Sequence, residues 1–569
     1  MRSSFCYLAF LLNTLTSQAR AAPPVDENSV KAGGTPPQGG VAVQGAESQV
    51  NPATYEKACP DYTHYSRIKH RPLSDGPLSL PSQRPSTHCR TFESPLVEKV
   101  IEDIVSRMKD HDLAQIFSNA FPNTLDTTVR WHTDGSSTKT PRGLSEKDKK
   151  RWKGAQSFIV TGDINAEWLR DSTNQLAQYQ RLANKDAALQ SLILGAINTQ
   201  AEYVIESPYC NAFQPPPPSG LQATDNGMQD VVHPAYEPSF VFECKYELDS
   251  LAHFLSLANQ FYNHTGSTVF LDDRFYTALN ELLHVLDEQS EGTFNNKTGQ
   301  YHRSTYTFKR HAWLGTETLN LDGIGNPLAS GTGLIRSAFR PSDDATIFGY
   351  FIPANAMMSV ELRRTGLMLQ ASGGPSKQTL AKNLLDRASA LEAAIFTHGT
   401  YTHPVYGEVF AYEVDGYGSQ LSMDDANIPS LLSLPLLGFV ESSSKIYQNT
   451  RSMILSRQGN PYYLSGSNFH GIGGPHIGVE NAWPMSLLVQ AMTSSDSTEI
   501  LKCLNVVKEA SRLGLVHESI HVNRAGEYTR SWFAWANAVF AQTILDLAER
   551  MPEVLFGEGA SSWKVDDLL

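Results

Sequence analysis

Five stretches of this chain concentrate acids, arginine and aromatic side chains. They are GDINAEWLRDS (162–172), FECKYELDSL (242–251), FRPSDDATIFGY (339–350), YEVDGYGSQLSMDDANIPSLL (412–432) and the pair GIGGPHIGVENAWP (471–484) with VHESIHVN…YTRSWFAWAN (516–537). Each precedes or opens a stretch with helical periodicity, where free backbone N–H groups take an acid as a cap. Capping explains one aspartate at each place. It leaves a surplus carboxylate in Asp343-Asp344 and Asp424-Asp425, and it does not explain Arg170 beside Asp171. Such groups are costly to bury unless they pair or meet a polar ligand. Sugars fit that description: carboxylates and arginine hold vicinal hydroxyls, and aromatic faces cover the C–H side. Glycosidic hydrolysis further needs two carboxyls in different roles, one protonating the leaving oxygen and the other activating water or attacking the sugar.

The elements that must bring these stretches together read as helices. SPLVEKVIEDIVSRMKDH (94–111) has Leu96, Val97, Val100, Ile101, Ile104, Val105 and Met108 at helical intervals behind a Ser N-cap and a Pro. Comparable stretches follow at 171–205, 246–262, 270–290, 345–371, 376–396, 427–438, 482–494, 497–513 and 532–551. Long, ornate loops alternate with short turns, and only pieces such as QSFIVTGD and YTHPVYGEVFAYEV look like strands. This rhythm suits an all-α closed double ring of helices, an (α/α)6 toroid with a few short strands in its loops, in which the inner-helix loops converge at one end. No linker inside 90–555 demands a second domain, and the prolines at 215–218 read as a rigid surface loop.

The bulk properties exclude several classes. A net charge of −13 over 569 residues argues against a nucleic-acid or anionic-membrane partner. The opening residues 1–22, with Arg2, an apolar run and small residues at Ala19, Ala21 and Ala22, have the pattern of a cleavable secretory signal. Residues 23–55 read as a flexible leader, and 56–569 as one catalytic domain in the secretory pathway or outside the cell, with no stable membrane insertion. Beyond Cys6, an odd set of cysteines remains: Cys59, Cys89, Cys210, Cys244 and Cys503. Two disulfides and one thiol fit an oxidising compartment, and proximity makes 59–89 and 210–244 plausible partners. Asn263 and Asn296 begin glycosylation sequons. No CxxC, phosphate loop, Rossmann fingerprint or GxSxG elbow is present, and neither a metal nor a cofactor is expected.

Six motifs, in order between about 94 and 550, resemble glycoside hydrolase family 125: TGDINAEWLRDSTNQLAQY, KYELDSL, FRPSDDATIFGYFIPANAM, MDDANIPSLLSLPLLGF, GIGGPH…WPMSLLVQAMTS and HESIHVN…TRSWFAWANAVF. The leader and the insert around 207–235 lie outside the match. The resemblance implies an (α/α)6 barrel, exo-acting α-1,6-mannosidase activity on mannose-containing oligosaccharides, and inversion without a metal. It places the general acid in RPSDD, at Asp343 or Asp344 with preference for Asp343, and the general base at Glu518, with His517 or His521 nearby. Sugar binding falls on Arg170 and Asp171, and further on Asp163, Trp168, Asp249, Asp425, Asn427, His476 and Trp532. Asp163 is expected to bind sugar or support Arg170, and the 162–172 segment to be a binding loop. Competing readings are an inverting α-glucosidase or trehalase-like hydrolase, an inactive carbohydrate-binding protein, and a calcium-dependent mannosidase.

Overall fold

The computed structural model describes residues 59–136, 151–524 and 526–568. The expected signal and leader (1–22 and 23–55) lie outside them. The described residues fall in one compact unit running from 39 to 569.

Among the described residues, helices pair as an inner and an outer member six times. The inner helices are α3 (Leu169–Ala177), α5 (Leu248–Thr265), α7 (Ile352–Ala371), the single turn α9 (Leu434–Leu437), α11 (Pro484–Met492) and α13 (Ala534–Arg550). Behind them stand α4 (Ala187–Glu206), α6 (Asp273–Gln289), α8 (Pro375–His398), α10 (Lys445–Ile454) and α12 (Ser497–Ala510), with α2 (His111–Ala120) backing α13 and α1 (Pro95–Arg107) packed on α2. Helices α3, α5 and α7 pack in sequence, α11 packs on α13, and α13 returns to α3, which closes the ring. The result is the (α/α)6 toroid.

Composition separates the layers. α5 and α13 are buried along most of their length, whereas α6 buries one stripe, including Phe275, Ala278, Leu279, Leu282 and Leu286, at helical spacing. The N-termini follow the sequence signals: Ser94 accepts from the Val97 amide with Pro95 at the first position, and Asp272 accepts from Phe275. Cys59 is bonded to Cys89 and Cys210 to Cys244, while Cys503 is a buried thiol. Asn263 and Asn296 are exposed. No helix among the described residues is long and apolar enough to cross a membrane.

Short antiparallel strands lead into the inner helices. β1 (Glu167–Trp168), β2 (Ala212–Phe213) and β3 (Val241–Glu243) form one sheet; β4 (Tyr350–Phe351), β5 (Glu413–Val414) and β6 (Gln420–Leu421) a second; β7 (Asn481–Ala482), β8 (Ser519–His521) and β9 (Tyr528–Thr529) a third. β1 runs straight into α3, β3 stops just before α5, β4 continues into α7, and β7 lies one residue before α11. The acid-rich stretches are therefore the strand-to-inner-helix junctions.

Three expected helices differ in extent. The 171–205 stretch is two helices, α3 and α4, divided after Ala177. The 345–371 helix starts only at Ile352, because Tyr350 and Phe351 pair with β5. The 427–438 helix shrinks to α9, because Asp424 takes the amides of Leu431 and Leu432 at 2.8 and 2.9 Å and holds 427–433 as a loop.

Candidate active site

The junctions of the inner helices bring most of the singled-out side chains into one buried charged cluster. Arg170 is at its centre, on the first turn of α3 and 3% exposed. Its Nη1 donates to Glu247 Oε2 at 2.6 Å, while Nη2 lies 3.2 Å from Asp171 Oδ2 and 3.7 Å from Asp343 Oδ1. The guanidinium lies over the Trp535 ring, 5.2 Å from its centroid. Segment 162–172 is thus not a loop throughout: Arg170 and Asp171 ride on a helix N-terminus, where the amide dipoles favour their carboxylate partners. No side chain caps that terminus.

Asp343 faces the opening. Its side chain keeps 22% of its exposure, against 4–5% for Arg170 and Asp171 and none for Glu247. Trp168 Nε1 donates to Asp343 Oδ1 at 3.3 Å, and Asn211 Nδ2 donates to the same oxygen at 3.1 Å. The backbone at Asp343 is left-handed, with φ +67°, unusual outside glycine and a mark of a site held in place by its surroundings. Asp344 turns inward. It is 1% exposed, takes a bond from Ser342 Oγ at 3.1 Å, and its Oδ1 lies 3.6 Å from His476 Nδ1.

Glu518, on the loop before β8, faces Arg530 Nη1 at 3.5 Å. Arg530 also donates to Asp163 Oδ1 through Nε at 2.8 Å and Nη2 at 2.5 Å, so Asp163 supports Arg530 rather than Arg170. His476 lies where the charges of Asp344, Glu518 and Asp343 all act on it; burial disfavours its cation, but these three outweigh burial and push its pKa up to about 9. Arg530 in turn is within electrostatic reach of Asp171. The 343–344 pair and residue 518, far apart along the chain, thus converge on His476.

Too many carboxyls surround too few cations there. Burial pushes Asp171 up to about 6 despite Arg170, and Asp249 up to about 7. Glu247 is raised well above the ordinary range by burial, with Asp343 and Asp249 adding to it. At Asp343 burial acts the same way, but Arg170, Lys245 and a hydrogen bond from Glu247 outweigh it and hold the carboxyl low. Asp249 is wholly buried and 3.8 Å from His253, which burial keeps neutral at about 3.

On the far side, Asp425 Oδ1 accepts from the Asn427 amide at 3.0 Å and from its Nδ2 at 2.8 Å. Its Oδ2 has no hydrogen-bond partner among the described residues and points toward Gly474, where a Cβ would approach to 2.7 Å. Asn427 therefore orients Asp425.

Two expectations fail. Trp532 is 1% exposed and turns away to pack edge-on against Tyr62 at 4.9 Å, beside Leu515; α13 starts only at Ala534, so Trp535 takes the place under Arg170. His517 stacks on Tyr528 at 3.9 Å and His521 faces Arg524 and Glu480, so the ion-pair partner of Glu518 is Arg530 and neither of these histidines. Glu247, Asn211, Lys245 and Arg530 were not singled out. Glu247 alone had a visible sign, as a second acid two residues before Asp249.

Carboxyls of opposed proton affinity, a guanidinium and aromatic supports in a buried pocket on an (α/α)6 toroid define a glycoside hydrolase. Residues 110–545 match the family described as metal-independent alpha-mannosidase (GH125), and the chain belongs to it. A curated relative, the meiotically up-regulated gene 157 protein of Schizosaccharomyces pombe, is 53% identical over 500 residues, 88% of this chain and 94% of that protein. A metal-independent α-mannosidase of Streptococcus pneumoniae, solved as a non-productive complex with α-1,6-mannobiose, superimposes with a TM-score of 0.70 at 31% identity; the match covers 80% of this chain and 99% of that one.

Proposed function

We propose that this α-mannosidase removes terminal α-1,6-linked mannose from oligosaccharides with inversion of the anomeric centre, and that it does so in the secretory pathway or outside the cell. Asp343 is the general acid and Glu518 the general base. The observation that carries the assignment is the asymmetry of the doublet. Asp343 faces the opening, whereas Asp344 is turned inward toward His476 and Ser342.

In this reading the terminal mannose sits over Arg170, Asp171 and Asp425, with the wholly buried Asp249 behind them. Asp343 gives its proton to the glycosidic oxygen as the C1–O bond breaks. A water held by Glu518 attacks C1 from the opposite face and passes its proton to that carboxylate, which requires the two carboxyls to stand about 6.5–9.5 Å apart. Arg530, fixed by Asp163, holds Glu518 in place. Linkage support comes from the pneumococcal relative, whose bound sugar is α-1,6-mannobiose.

NMR of the first anomer released from α-1,6-mannobiose tests substrate and stereochemistry together: β-mannose is expected, and an initial α product or no cleavage overturns the reading. Glu518→Gln should lower kcat by about a hundred- to ten-thousandfold with unchanged circular dichroism. Full activity would remove Glu518 from its role.

A further inference from the structure

We propose that Asp343 and Glu247 act as one acid, a buried carboxyl pair that carries a single proton and is kept in register by Asn211; the proposal rests on the assignment of Asp343 as general acid. Asn211 Nδ2 donates at once to Glu247 Oε1 at 3.0 Å and Asp343 Oδ1 at 3.1 Å. Arg170 spans the same two groups, with Nη1 2.6 Å from Glu247 Oε2 and Nη2 3.7 Å from Asp343 Oδ1, so the carboxyls adjoin and titrate together.

Asn211 is itself locked. Its Oδ1 accepts from the Lys245 amide at 3.0 Å, and its backbone carbonyl accepts from Leu169 N at 3.2 Å, at the start of α3. It follows Cys210, and Lys245 follows Cys244, so the disulfide ties together both ends of the strap that holds it. Glu247 is fixed independently by Arg170 at 2.6 Å and by Ser250 Oγ at 2.9 Å. Only Asp343 of the pair faces the opening, so Glu247 and Asn211 are positioning residues.

The pair solves a problem that the pocket creates. Arg170, Lys245 and His476 face Asp343 and favour its carboxylate, the wrong form for an acid. Asp249 and Asp343 face Glu247 and favour its protonated form. In this proposal one proton belongs to the pair rather than to either member. When it moves onto Asp343, Arg170 is already in place to hold the Glu247 carboxylate. After transfer to the glycosidic oxygen both members are charged, and that repulsion draws a replacement proton from pocket water as product leaves.

The test is the alkaline limb of kcat/KM, which reports ionisation of the acid. Glu247→Gln removes the neighbouring carboxylate, leaving Asp343 to the surrounding cations, so the limb should fall by at least one pH unit. Asn211→Ala removes a donor that stabilises the ionised pair, so its limb should rise. Opposite shifts are expected, and the Glu247→Gln loss should be at least tenfold greater on α-1,6-mannobiose than on 2,4-dinitrophenyl α-mannoside, whose leaving group departs unprotonated. Limbs that stay put or move together, with rates lowered evenly at all pH, would reduce both residues to packing and overturn the proposal. If Glu247→Gln does not fold, the direction of the Asn211→Ala shift decides. Wild-type protein that cleaves the aryl mannoside but not the mannobiose would sink the linkage assignment alone, and the limb is then read on the aryl substrate.

Discussion

Two aspartate doublets end two of the acid-rich junctions, and they divide their work differently. In Asp424-Asp425 the first carboxylate is structural. It is fully buried, accepts the amides of Leu431 and Leu432, and makes the loop before α9. The second is buried with one oxygen held by Asn427 and the other without a hydrogen-bond partner among the described residues. In Asp343-Asp344 the order reverses: the first faces the pocket on a left-handed backbone, and the second turns inward toward His476. On the proposed reading each doublet places one carboxylate against the fold and one against the sugar, and the local backbone decides which is which.

The largest expected difference separates the two pocket-facing members. Asp343→Asn should lower kcat on α-1,6-mannobiose by about a hundred- to ten-thousandfold, the usual contribution of a general acid. A comparable loss in Asp344→Asn with Asp343→Asn active would reverse the assignment within the doublet. Asp425→Asn, which leaves proton transfer in place, should cost less. Losing a charged hydrogen bond to a sugar hydroxyl is worth about 1.5–3 kcal/mol, or about ten- to a hundredfold in kcat/KM. A loss as great as that of Asp343→Asn would make Asp425 a catalytic group and break the comparison.

Much of this was legible in the sequence, for reasons that particular residues show. The toroid follows from helical periodicity and from the alternation of loop lengths, both local properties. The doublets announced surplus acids because an N-terminus uses only one. The 210–244 disulfide followed from proximity along the chain. What stayed hidden depends on direction in space. Trp532 and Trp535 are three apart and look equivalent, yet the chain becomes helical between them, so one ring packs on Tyr62 and the other under Arg170. Asn211 lies in a stretch with no distinctive spacing and Arg530 beside more conspicuous residues, and their roles come from Lys245 and Asp163, distant along the chain, meeting them in space.

Asp424→Asn tests the structural half. The amide keeps shape but offers an N–H where an acceptor is needed, so one of the two loop amides loses its partner. The cost of such a buried loss is about 1–3 kcal/mol, read as a lower urea midpoint, while kcat per folded molecule should stay near that of the wild type. If activity fell like that of Asp343→Asn with stability intact, Asp424 would belong to the pocket.

The smallest effect concerns how the 343–344 doublet is held. His476 rises from an ordinary 6.5 to about 9, burial being outweighed by Asp344, Glu518 and Asp343. A raised folded-state pKa stabilises the fold fully below about pH 6.5, and that contribution fades as pH climbs through about 9. At 1.36 kcal/mol per pH unit, and allowing for the exposed quarter of the side chain, it is on the order of 1–2 kcal/mol. Asp424, pushed up to about 8 by burial, adds an alkaline loss of the same sign. The informative quantity is therefore the difference between wild type and His476→Gln, not the slope of either alone. Urea midpoints should favour the wild type at pH 6 and converge by about pH 9.5. A difference that holds constant across that range would mean that His476 supports Asp344 by packing and hydrogen bonding as a neutral ring, and the two doublets would then be held by the same kind of force.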